Sequence, residues 1–310
     1  MAGTILRSTD FRSIVEPILN QAYDGVYDQR ADEYKMVFSE SNGIARAYHE
    51  EPMLYGFGSA PELPDGMPVT YDQGGQLFVK RYPYSVYGLA FALTKVLVED
   101  GDHIRIGSTF AKHLAQSMTE TLETVCANHL NRAFTAGYTG GDGVILVSNA
   151  HTDAAGAATG AASRSNVLAT SAALSQTSLE QMLIQIRQAE DPRGKKIRLT
   201  PKKLIVAPGN MLTAEVLLKS VLRSGTNNND LNPIKSMGLV SDVAVLSRLT
   251  SATAWFIQTD APEGMKLLWR RKVEKGMEGD FETDSVRYKS TMRFGSGWTD
   301  WRAVFGTPGT

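Results

Sequence analysis

The chain has 310 residues, with 42% apolar and 21% charged content and a net charge of −1. That is enough for one large domain or two modest ones with a real core. The near-neutral balance argues against a protein that coats nucleic acid with a basic surface. The single cysteine, Cys126, excludes an intramolecular disulfide framework and a multi-cysteine zinc site. The stretch "MAGTILRSTDFRS" lacks the apolar centre of a signal peptide, and no apolar run approaches the ~20 residues that span a bilayer. A soluble protein made in the cytoplasm, without membrane contact, is therefore expected. No tandem repeat is visible.

In chain order, residues 9–31 have a helical apolar period (Phe11, Ile14, Val15, Ile18, Leu19, Ala22, Tyr23, Val26, Tyr27). Pro17 either starts that helix or bends it, and Thr9 and Asp10 are candidate caps for the longer version. Residues 50–83 are punctuated by ten Gly and Pro residues, which fits neither a helix nor a long unbroken strand. Tyr55, Phe57, Tyr71 and Phe78 can anchor this segment, and a loop of such length is often functional. It reads as an extended two-stranded arm with "QLFVKRY" returning. "YSVYGLAFALTKVLV" is strand-like. From a cap at Asp102, apolar residues from Ile106 to Phe134 then recur at three- and four-residue steps until Gly137. This predicts a helix of about 30 residues, roughly 45–50 Å long, laid as a spine against a sheet.

"GDGVILVSNAHT" (141–152) reads as a turn on Asp142-Gly143 followed by a short apolar strand. The Ala/Ser/Gly-rich stretch after it reads as a surface loop, mobile at least in part. Thr177 and Glu180 form a capping box for the helix "SLEQMLIQIRQAE". "KKLIVAPG" predicts a buried strand and "NMLTAEVLLKSVLRS" a helix, with the polar loop "GTNNNDLNP" after it. "SDVAVLSRL", "AWFIQT" and "KLLWRRKVE" predict strands. In the terminal segment Val286, Tyr288, Ser290, Met292 and Phe294 share one face, as do Trp301, Ala303 and Phe305. Helices and strands do not alternate evenly, which disfavours Rossmann and barrel folds and points to an α+β fold.

Candidate chemistry is thin. Ser148 and His151 are residue types of acyl transfer, but no glycine elbow flanks Ser148, so a polar strand end is the better reading. Cys126 and His129 share a helix face, yet Cys126 continues an apolar stripe and reads as core. His49, Glu50 and Glu51 sit together, and His103 and His113 are ten apart; neither set has metal-ligand spacing. "GYTGGDG" lacks the P-loop lysine. "WRRKVEK" suggests phosphate contact, but strand alternation puts Arg270 and Lys272 on one face and Arg271 on the other, as in a solvated or interfacial strand. No catalytic, cofactor-binding or metal residues are assigned. The outstanding feature is shape: an arm without a core of its own, for which neighbouring copies would supply partner surfaces.

An ordered set of segments carries a family resemblance: "DEYKMVFSES", "YGFGSAPELPDGMPVTYDQGG", "YGLAFALTKVLVEDGD" leading into the helix ending "NHLNRAF", "GDGVILVSNAHT", "KKLIVAPGNMLTAEVLL" and "DSVRYKSTMRFGSGWTDWRAVFG". With these the chain resembles tailed-phage major capsid proteins of the Mu-like major head subunit group, which have the Hong Kong 97-type fold. The resemblance implies an N-terminal arm at 1–49 and an extended loop at 50–83 that overlaps a neighbour. It implies a peripheral domain of 84–144 and 266–310 with a spine helix at about 103–136, and an axial domain at 145–265. The implied function is self-assembly through hexamers and pentamers into an icosahedral head around double-stranded DNA, a structural and not an enzymatic role. Implied partners are a separate scaffolding protein, a portal, weakly contacted DNA and a decoration protein. Some relatives cross-link a loop lysine to a neighbour's asparagine. Lys80 is the candidate donor, but no asparagine follows Asn232, so no such cross-link is expected. The alternatives are a cellular nanocompartment shell of the same fold, a Ser148/His151 hydrolase, and a phage tail or head-completion protein.

Overall fold

The computed structural model describes residues 8–29, 32–43, 45–94, 103–152, 163–223, 230–280 and 285–309. Helix α1 (Ser8–Tyr27) is followed by a 3-10 turn (Glu33–Met36) and four strands: β1 (Ser39–Asn42), β2 (Tyr48–Tyr55), β3 (Gly75–Pro83) and β4 (Ser85–Leu93). The long helix α2 (His103–Asn131) comes next, then a small pair, β5 (His151–Thr152) and β6 (Ser163–Arg164). Helix α3 (Gln176–Arg187), β7 (Pro201–Val206), α4 (Met211–Lys219), the single turn α5 (Pro233–Ser236), β8 (Asp242–Val245) and β9 (Trp255–Thr259) form the middle. The chain ends in β10 (Met265–Asp280), β11 (Ser285–Trp298), a 3-10 turn (Trp301–Ala303) and β12 (Val304–Thr307).

Two four-stranded sheets carry the fold. The first has the order β1-β10-β11-β4 and is antiparallel except for β1, which runs parallel to β10. The second has the order β12-β9-β7-β8, with only β7 and β8 parallel. The middle of the second sheet is buried on both faces, which is why residues 204–206 and 255–257 read as unbroken apolar runs. Phe256 and Ile205 enter one core, while Trp255, Ile257, Leu204 and Val206 enter the other under α3 and α4.

Helix α2 has 29 residues. Its stripe Met118, Leu122, Cys126 and Leu130 is buried in the core that also holds Met292 and Phe294 of the first sheet and Phe256 of the second. It is thus a spine against a sheet, as its periodicity predicts. It ends at Asn131 rather than near 136, because the chain tightens into i→i+3 bonds (Ala133 to Leu130, Thr135 to Arg132) before Gly137 takes φ +94°. Asp102 lies outside the described residues. Pro17 sits inside α1, and Thr9 and Asp10, the expected caps, are also within the helix. The missing N–H of Pro17 is outweighed by packing: Val15, Leu19 and Tyr23 are buried against Ala111, Leu114 and Ala115 of α2.

β2 and β3 pair antiparallel as a two-stranded ribbon, so the Gly/Pro-rich stretch is an arm of the expected kind. On β11 the alternation holds: Tyr288, Ser290, Met292 and Phe294 are buried.

Other expectations need correction. Val144–Val147 form no strand. A turn closes at Gly143 (φ +77°), with Gly140 N bonded to Val144 O (2.7 Å), and only Ile145 makes an isolated bridge to Thr139. The cap of α3 is Ser175, reciprocated by Ser178, and Thr177 lies within the helix. Trp301 and Ala303 sit in a 3-10 turn, so strand alternation does not relate them to Phe305. Two register shifts in β10, between Trp269 and Glu274, break the alternation expected for Arg270 to Lys272.

The Ala-rich segment conceals a structural hub. Asn166 is fully buried. Its Nδ2 donates to the carbonyls of Leu146 (2.8 Å) and Val304 (2.7 Å), and its Oδ1 accepts the Ser148 amide (2.8 Å). It joins the crossing after α2 to the last strand. Asn166→Ala is expected to lower the unfolding free energy by about 2–4 kcal/mol, since it strands several buried backbone groups. Urea denaturation of the full chain measures this.

Candidate functional site

The residues with catalytic character are dispersed into structural roles. The Ser148 hydroxyl accepts the Ala150 amide (3.1 Å). His151 is not the exposed strand end its neighbours suggest. It is fully buried, stacked flat on Trp301 (centroids 4.2 Å apart, planes 6° apart), with Nδ1 2.7 Å from Asp142 Oδ2. Its Nε2, the atom that would take a proton from a serine, makes no hydrogen bond. An Asp–His pair is therefore present, but Ser148 is not part of it. On the Trp301 ring lies the Arg302 guanidinium (4.4 Å), ion-paired to Asp300. This unit locks the 142–151 crossing to the chain end. Only the Asp142-Gly143 turn within it was visible from local sequence, because Trp301 is remote in the chain.

Cys126 is buried, and burial pushes its thiol pKa up, so it is inert core. His129 turns away to Ser296 (2.8 Å). Burial, then the charges of Lys80 and Arg132, lower its pKa to about 4, so it is neutral at pH 7. His49 and Glu51 root the arm. Glu51 accepts from Lys266 with both oxygens (2.9 Å each), from Thr299 (2.7 Å) and from His49 (3.1 Å). Burial works to raise the Glu51 pKa, but these bonds hold it below the ordinary value. Lys80, the candidate cross-link donor, lies on β3 rather than at the loop tip. It donates to the Thr139 carbonyl (3.0 Å) and sits 5.1 Å over the Trp298 ring. Among the described residues no cluster of three or more His, Cys, Asp or Glu is placed to hold a metal ion, and no helix is long and apolar enough to cross a membrane.

What the surface offers instead is unburied apolar area. On the arm Leu54, Phe57, Leu63, Met67, Val69 and Tyr71 are all exposed, Tyr71 at 99%. Residues 56–75 also carry Glu62, Asp65 and Asp72 and no lysine or arginine. A second group (Leu212, Val216, Val221, Leu222, Leu231 and Met237) is exposed on α4 and the segment beyond it. Exposed large apolar side chains in such number mark candidate interaction sites. β4 adds an edge strand of nine residues without a single charge, the sort of edge that pairs readily.

These surfaces suit contact with other protein chains. A protein family described as phage capsid protein matches residues 82–306. The chain belongs to this family.

The capsid of cyanophage P-SCSP1u has a similar fold: TM-score 0.57 at 10% identity, covering 91% of this chain and 89% of that one. A structure from Microbacterium phage Oxtober96 follows at 0.53 and 10%, covering 90% and 91%. The capsid of a native GTA particle gives 0.50 and 16%, covering 90% of both chains. No curated protein matches the chain. The fold is the α+β Hong Kong 97-type capsid fold, and the protein is a capsid shell component of the virion that assembles with its own kind. The family match begins at Tyr82, so α1 and most of the arm lie upstream of it.

In this capsid protein a buried carboxyl ties the N-terminal segment to the spine. Glu123 on α2 is 3% exposed and accepts the Tyr34 amide at 3.0 Å, while its Oε1 has no partner. Nearby, Glu33 holds the Ser247 amide (2.7 Å), and Arg248 bridges Glu33 (3.1 Å) and Glu120 (2.6 Å). Burial raises the Glu123 pKa to about 7, against the Tyr34 amide and Arg248, which lower it. The folded protein therefore keeps a proton that the unfolded chain releases near the ordinary carboxyl value of 4.5. Stability supplied by this site is full below that value and is lost as pH rises through about 7. Glu123→Gln keeps the acceptor without the charge. Thermal melts should place its Tm about 2–4 °C above the parent's at pH 8, with the gap closing toward pH 5.

Proposed function

We propose that this is the major capsid protein of a tailed phage, closing through hexamers and pentamers into an icosahedral head around double-stranded DNA. The carrying observation is the arm. Its β2–β3 ribbon and the 56–74 loop leave eight large apolar side chains in water, from Tyr48 to Val79, a cost that burial against a neighbour removes at roughly 25 cal/mol per Å².

In this reading residues 1–49 form an N-terminal arm and 50–83 the extended loop that overlaps a neighbouring subunit. Residues 84–144 and 266–310 form the peripheral domain around the spine, and 145–265 the axial domain. The exposed apolar group on α4 then faces the capsomer centre. Assembly takes place in the host cytoplasm with a separate scaffolding protein and a portal, and a decoration protein can bind the finished shell. DNA contact is weak and non-specific, in keeping with the net charge of −1, which supplies no basic lining. The protein acts by assembly and carries out no reaction. Many modest interfaces per subunit give the shell its stability by multivalency.

Electron microscopy and sedimentation of the purified protein, with and without scaffold, should find closed shells or free hexamers and pentamers. A monomer under every condition of salt and concentration overturns the reading. Deleting residues 56–75 should leave a folded subunit, by circular dichroism and melting, that forms no stable shells.

A further inference from the structure

The neck of the 56–74 loop is gripped by one turn from elsewhere in the chain. Asp191 Oδ1 accepts the amides of Arg193 (2.9 Å) and Lys195 (2.8 Å), and Gly194 takes φ +83°. The turn so built sends two cations to the loop. Lys195 Nζ donates to the Phe57 carbonyl (2.5 Å) on the outgoing limb. On the returning limb Arg193 Nη1 donates to Asp72 Oδ1 (3.2 Å) and to the Gln73 carbonyl (3.2 Å). Asp72 also ties the limbs to each other: its Oδ2 accepts the Gly58 amide (2.6 Å) and its Oδ1 the Gln73 amide (2.8 Å). The approach at Gly58 is close, since a Cβ there would stand 3.2 Å from Asp72 Oδ2 and 3.4 Å from Arg193 Nη2.

All of these bonds lie at the neck. Leu63, Met67, Val69 and Tyr71, between the gripped limbs, stay exposed. A latch that hides a docking surface covers it, whereas this grip leaves the surface open and fixes what carries it.

We propose that Asp72, Arg193 and Lys195 form a positioning clamp that sets the direction of the loop in the free subunit, presenting its acidic, apolar tip to a second copy of this chain. The proposal rests on the reading of the loop as the segment that overlaps a neighbour. A loop free to swing loses conformational freedom when it docks, and that loss subtracts from every contact in the shell. The clamp meets the cost when the subunit folds. The tip carries carboxylates and no cation, so the surface that receives it on the second copy is apolar and basic.

The test uses the full chain with spin labels at Ala60→Cys and Lys202→Cys; Cys126, 1% exposed, stays unlabelled. The parent should give a narrow distance distribution, Arg193→Asp a broad one, and the swap Asp72→Arg with Arg193→Asp one between the two, since it restores the ion pair but not the amide bonds Asp72 accepts. The subunit concentration needed for shells should rise about fivefold in Arg193→Asp and fall part of the way back in the swap. If Arg193→Asp misfolds by circular dichroism, Asp72→Ala breaks the same contact from the exposed side. An unchanged distance distribution overturns the clamp, as does a broadened one with unchanged assembly. The 56–75 deletion separates the two ideas. Normal shells from it remove the overlap reading, while the distance measurement still reports whether the clamp exists.

Discussion

The structure depends on one buried stripe. Met118, Leu122, Cys126 and Leu130 of α2 enter a core that contains side chains from both sheets, so a single helix holds two sheets of different topology in one body. Each such side chain contributes roughly 1.5–3 kcal/mol by burial, but position matters more than the sum. α1 packs on the N-terminal half of the helix and the second sheet on the C-terminal half. A helix of 29 residues spans roughly 43 Å and so links parts of the subunit that lie far apart.

Burial alone does not fix how the chain crosses between these elements, and the buried polar groups mark where specificity is added. Asn166 satisfies the backbone of two distant segments. His151 is sealed between Asp142 and Trp301. Glu123 caps the 3-10 turn from another element. Each is costly if unpartnered, so each penalises alternative packings more than it stabilises the native one. All three join segments remote in sequence, which places them at the seams of the subunit.

That remoteness explains what was legible beforehand. The spine, the arm and the alternating face of β11 could be read from the chain because a local period or Gly/Pro punctuation records them. The resemblance of ordered segments led to the family that residues 82–306 match. The role of His151 was not legible: its partner Trp301 is 150 positions away, and nothing local separates a buried histidine from a strand-end one. Asn166 was hidden by the small residues around it, whose composition signals a loop whether or not one side chain is buried. The α3 cap was misplaced because Thr177–Glu180 and Ser175–Ser178 have the same spacing, and only geometry selects Ser175.

The exposed surfaces differ in how they are held, and the difference bears on how a shell forms. In the second apolar group Leu212 and Val216 sit on helix α4 and need no further organisation. The arm is a thin ribbon: Tyr82 is buried and Lys80 lies over Trp298 at its base, and polar contacts hold it at Glu51 with Lys266 and at the 191–195 turn on the neck of its loop. The Arg193–Asp72 pair at the neck is partly exposed, and such pairs are individually weak and screened by salt, so the direction of the loop should respond to ionic conditions more than the largely buried Glu51–Lys266 root does. A shell held by many copies of one contact amplifies that response, because a small change per contact multiplies over every neighbour. Charge at the neck of the arm is therefore a place where modest changes would alter assembly without altering the fold.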